Sequence, residues 1–147
     1  MIFNNSDGGG MNSKEDFYRN ILIIGWIQLL QIVVVMFIVS ILIAGVDNDF
    51  SGFAKDPGML GVDVMVVVFA IYAILPLVLK GFGSVYIRWA NFGLTIFFFL
   101  FFLVHQLSHL FVDNIPLSWY HLLDFVHHIV ILAMVWVSFL WARCNKT

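Results

Sequence analysis

Charge is what this sequence has least of. Asp, Glu, Lys and Arg make up 11% of its 147 residues, against roughly 25% in an ordinary soluble domain. With 62% of the residues apolar, that balance excludes a soluble globular fold. The single cysteine, Cys144, excludes a disulfide framework and a Cys-x-x-Cys redox pair. The net charge is −2 and the seven Lys and Arg are scattered singly, so there is no basic face for nucleic acid and none is expected as a partner. Catalytic motifs are missing too: no Gly-rich phosphate loop, no Gly-x-Ser-x-Gly elbow, no His-Glu-x-x-His pair and no Cys-His nucleophile.

Long apolar runs are what is present. A helix crossing a membrane needs about 20 mostly apolar residues, and four such runs fit the chain, at about 20–45, 61–79, 85–112 and 119–142. The expected architecture is all-α, an integral membrane four-helix bundle with four transmembrane helices. Residues 1–19 read as a polar, disordered or interfacial tail and residues 143–147 as a short second tail. Within the first tail, Ser13-Lys14-Glu15-Asp16 has the form of a helix cap. Val46 to Leu60 and Asp113 to Ser118 read as loops, and Pro76 predicts a kink in the second span.

Lys14, Arg19, Lys80, Arg88, Arg143 and Lys146 fall on one side of this arrangement and only Lys55 on the other. Positive charge is retained in the cytoplasm, which places both termini there, in an inner or plasma membrane. Tyr18, Tyr86, Trp89 and Trp141 then fall at the inner interface, and Trp119 and Tyr120 at the outer one.

Ionisable groups inside a bilayer mark functional sites by default. All five histidines lie between His105 and His128, in the outer halves of spans three and four. His105 and His109 are one helical turn apart, with Asp113 continuing their face. His121, Asp124 and His128 share an arc of about 60°, while His127 is turned about 100° from His128 and reads as a helix-contact residue. His105, His109, His121, Asp124 and His128 therefore form the expected metal-ligand set. Asp63 lies close enough to join, and the acidic outer loops would concentrate cations. Imidazoles with one carboxylate suit Cu(II), Zn(II) or Fe(II).

The spacing of His105 and His109, followed by His121 just after the turn, loosely resembles the copper-bearing subunit of membrane-bound methane and ammonia monooxygenases. There the pattern is Asp-x3-His and then His on the next helix; here His105 stands in place of the Asp. The resemblance covers a handful of residues and implies copper in a redox or monooxygenase-type membrane complex. A second reading is a non-catalytic accessory or assembly subunit whose histidines pack against partner helices. A third is a b-type haem anchor with His105 and His128 as axial ligands, against which the Phe97 to Phe102 run weighs by filling space. That run reads as a lipid- or partner-facing surface. A proton relay across the membrane is disfavoured because Ile129 to Val135 are apolar and Ser138 is the next polar group on span four. Gln28, Gln31, Ser40, Asn91 and Thr95 are expected to hydrogen-bond between helices. The expected partners are the lipid bilayer and other membrane subunits or a second copy, with the histidine cluster toward the periplasmic or extracellular side.

Overall fold

A computed structural model describes residues 13–48, 62–111 and 119–144. They form four helices, α1 (Ser13–Asp47), α2 (Val62–Gly81), α3 (Val85–Phe111) and α4 (Trp119–Ala142). The expected loops at 49–61 and 112–118, with Asp49, Asp56 and Asp113, lie outside the described residues, as do the first twelve residues and the last three. The fold class is all-α, as the apolar runs indicate. Helix α1 starts at Ser13, inside the stretch read above as tail. Its first turn carries Glu15 and Asp16, which complement the positive end of the helix dipole.

Three helices are long and apolar enough to cross a membrane: Lys14–Val46, Val85–Ser108 and Leu122–Ala142, with mean hydropathies of 2.9, 1.8 and 2.0. The apolar stretch of the remaining helix is shorter, Val66–Gly81. Pro76 lies inside α2 without ending it.

Helix α1 packs against both α2 and α4, and α3 packs against α4. The buried seam of α1 runs through Leu22, Trp26, Leu29, Val33 and Met36; that of α3 runs through Arg88, Asn91, Thr95, Phe98 and Phe102. Alternating steps of three and four residues are the signature of helices packed side by side along one stripe. Near mid-bundle, Trp26, Tyr72 and Phe98 come from three different helices and meet with ring centroids 5.1 to 6.0 Å apart. Such tilted and edge-on contacts are the preferred aromatic geometry.

The helical period also divides the Phe-rich run. Phe97 and Leu100 are exposed, whereas Phe98 and Phe102 are in the core, so only part of the run is an outward surface. Trp141 differs from its interfacial reading as well. It is fully buried and lies under the Arg88 guanidinium, 5.8 Å from the ring centroid.

Two of the polar residues expected between helices do bond there. Asn91 Oδ1 accepts from Trp26 Nε1 at 3.0 Å, and the Thr95 and Ser138 hydroxyls are 3.0 Å apart. Ser40 instead donates to the carbonyl of Met36 on its own helix, and Gln28 and Gln31 are exposed.

Candidate metal centre

Helix α4 carries the site on a buried stripe of Asp124, His127, His128, Ile131, Met134, Ser138 and Trp141. Residues three and four positions apart lie one above the other on a helix, so Asp124 shares its face with both His127 and His128. Asp124, His127 and His128 each offer a ligand atom, and these atoms all lie within 4.8 Å of one another. All three residues are buried.

The structure thus brings in His127, which an arc centred on His121, Asp124 and His128 leaves outside. A helix in a bundle buries a stripe more than about 100° wide. Such a stripe spans Asp124 with a histidine on either flank.

Each imidazole has one nitrogen engaged and one without a partner. His128 Nδ1 lies 2.7 Å from the backbone carbonyl oxygen of Asp124. His127 Nε2 lies 3.3 Å from the Tyr72 hydroxyl on α2. His127 Nδ1 and His128 Nε2 are buried with no hydrogen-bond partner among the described residues. A buried polar atom left unpaired costs about 1–3 kcal/mol, and a metal ion bound by these two histidines and Asp124 would give such nitrogens a partner.

The walls are aromatic. The Phe102 ring centroid is 4.5 Å from that of His127, edge to face, and the Phe99 ring lies 6.4 Å from that of His128. These rings occupy the α3–α4 interface beside His128, where the haem reading needs room for a porphyrin.

Of the other expected ligands, His105 is half-buried on α3. The antiparallel pairing that sets Phe102 beside His127 carries the backbone of His105 to the level of Asp124. His109 and His121 lie in α3 and α4, and Asp63 in α2, but their side chains fall outside the described residues, as does Asp113. Tyr72 is the residue that sequence reasoning missed. Its signal is a lone hydroxyl in the otherwise apolar stretch from Val64 to Leu79.

The opposite end of the bundle holds a second polar cluster. Arg88 is fully buried; it donates through Nε to the Gly83 carbonyl at 3.0 Å, through Nη1 to the Cys144 carbonyl at 2.7 Å and through Nη2 to Glu15 Oε1 at 2.6 Å. Each of the three guanidinium nitrogens donates to an acceptor from a separate chain segment. The chain matches no known protein family, no curated protein and no solved structure.

Proposed function

We propose that the protein is an integral membrane metal-binding protein, with Asp124, His127 and His128 at the centre of the donor set. The observation that carries this reading is the buried group of Asp124, His127 and His128, whose ligand atoms lie within 4.8 Å of one another and whose imidazoles each keep one partnerless nitrogen, in a helix apolar enough to cross a bilayer. Intramembrane ionisable groups are retained where they serve a site. One carboxylate and two imidazoles suit Cu(II), Zn(II) or Fe(II). His105, His109 and His121 are the candidates to complete the coordination from the same hairpin.

Lys14, Arg19, Lys80, Arg88 and Arg143 belong to the bundle end that holds the start of α1, the α2–α3 connection and the end of α4. This supports a cytoplasmic location for that end. His127 then sits about 12 Å along α4 from its outer start, using 1.5 Å per residue, in the half of the bundle nearer the periplasm or cell exterior. The exposed apolar surface, with Val34, Ile38, Leu42 and Leu132, faces lipid and the other subunits of a membrane complex of redox or monooxygenase type.

The test is metal analysis by mass spectrometry on detergent-purified protein. Near-stoichiometric Cu, Zn or Fe is expected in the wild type, lost in His127→Ala and His128→Ala and kept in Phe125→Ala, whose side chain is exposed. A metal-free wild type, or full occupancy in His128→Ala, overturns the reading.

A further inference from the structure

We infer that Tyr72 sets which nitrogen of His127 binds the ion, so that the ligand atoms are His127 Nδ1, His128 Nε2 and the Asp124 carboxylate. This rests on the metal reading above. A neutral imidazole has one N–H and one lone pair, and only the lone pair can ligate. The Asp124 carbonyl can only accept, so His128 Nδ1 carries the proton and donates at 2.7 Å. The lone pair of His128 is therefore on Nε2, one of the two partnerless nitrogens.

His127 has no such carbonyl. Its Nε2 faces the Tyr72 oxygen at 3.3 Å and its Nδ1 is partnerless. Tyr72 occupies Nε2 and leaves Nδ1 as the nitrogen open to an ion; a phenol hydroxyl can accept as well as donate, so with the lone pair on Nδ1 the proton sits on Nε2 and is donated to the Tyr72 oxygen. Both ligand histidines then end their remaining N–H on an oxygen, the outer support that metal-bound histidines nearly always have. One oxygen comes from the site's own helix and the other from α2.

No solvent can take over this task, because His127 is 1% exposed and Tyr72 is fully buried. The phenol is held in place by the Trp26 ring at 5.3 Å and the Phe98 ring at 5.1 Å. Tyr72 is a positioning residue: it touches the ligand and not the ion. Without its hydroxyl the His127 N–H is left buried without an acceptor. The ring is also then free to turn its other nitrogen toward the ion.

The experiment loads detergent-solubilised protein, labelled with ¹⁵N-histidine, with Zn(II) alone. NMR then reads which imidazole nitrogen bears zinc and which bears a proton. Zinc on His127 Nδ1 and His128 Nε2, with protons on the opposite nitrogens, is the expected result. Tyr72→Phe keeps the ring that packs on Trp26 and Phe98, and is expected to bind zinc about 10- to 100-fold more weakly. Retained zinc ligated through His127 Nε2, or unchanged affinity in Tyr72→Phe, overturns this assignment and leaves the metal reading standing. A wild type that retains no zinc overturns this assignment, and the metal reading falls with it where metal analysis of the same protein also finds no Cu or Fe. The labelled wild-type spectrum decides the assignment even where Tyr72→Phe fails to fold.

Discussion

Arg88 Nη1 lies 2.7 Å from the carbonyl oxygen of Cys144, 56 residues further along the chain. The last carbonyls of a helix have no partner within it and carry the negative end of its dipole. Cys144 follows the end of α4 at Ala142, and Gly83 follows the end of α2 at Gly81. One guanidinium therefore ties together the segments that follow two helix C-termini while pairing with Glu15 in the first turn of α1.

Arg88→Met should destabilise the bundle by about 3–5 kcal/mol, the usual cost of removing one partner from a buried ion pair. Arg88→Lys should recover only part of this, since an ammonium lacks the planar fork that reaches three acceptors. Denaturant unfolding in detergent, followed by circular dichroism, checks both. A loss below about 1 kcal/mol, the range of exposed pairs, would show that the clamp is not formed.

Where α1 crosses α4, Gly25 faces the Met134 side chain, which would have to shift for any larger residue. A Cβ built on Gly25 would stand 2.7 Å from Met134 Sδ and 2.8 Å from its Cγ. Overpacking a filled core costs typically about 1–3 kcal/mol, and Gly25→Ala is expected to fall in that range. Met134→Ala should itself lower stability by opening a void, yet make Gly25→Ala nearly harmless. The double-mutant cycle measures this coupling. Additive effects would mean that the Met134 side chain is not packed against Gly25 as the structure places it.

Between α3 and α4 the Thr95 and Ser138 hydroxyls bond to each other at 3.0 Å, and each also donates to a carbonyl on its own helix, Phe92 and Val135 respectively. Each hydroxyl has only one proton, so the three contacts share two protons and the interhelical bond competes with the local ones. Coupling energies for such pairs in membrane helices average about 0.6 kcal/mol. A Thr95→Val and Ser138→Ala cycle should give a value near that, read from unfolding in detergent. A coupling above about 2 kcal/mol would show that the local bonds are not competing.

Much of this fold is legible in the composition. Four apolar runs bounded by Gly, Asp and Pro become four helices, because a helix satisfies its own backbone wherever water is scarce. The site is legible in part. Five histidines in one hairpin locate it, and Asp124 and His128 follow from helical spacing. His127 does not, because the true width of the buried stripe depends on how closely α1 and α3 approach α4. Tyr72 is harder still: it lies 55 residues from His127, and no local pattern encodes the register between α2 and α4, two parallel helices with all of α3 between them in sequence. Arg88 counts as one more cytoplasmic charge in the sequence, and only the convergence of three chain segments reveals it as a core residue.

The tryptophans offer a direct check on the proposed membrane insertion and on the faces that would then meet lipid. Trp26 and Trp141 are fully buried, whereas Trp136 is 64% exposed and Trp89 46%. Trp136 also sits in a shallow apolar groove with Phe92, Leu132, Val135 and Phe139. In vesicles containing brominated acyl chains, quenching requires contact between the indole and lipid. Trp136→Phe should remove much of the quenchable fluorescence, and Trp89→Phe a further part. Trp26→Phe should lower the total signal but raise the quenched fraction, because it deletes a shielded emitter. Should Trp26→Phe abolish quenching instead, the Trp26, Tyr72 and Phe98 face would be the lipid-facing one. The placement of His127 inside the bundle would fall with it.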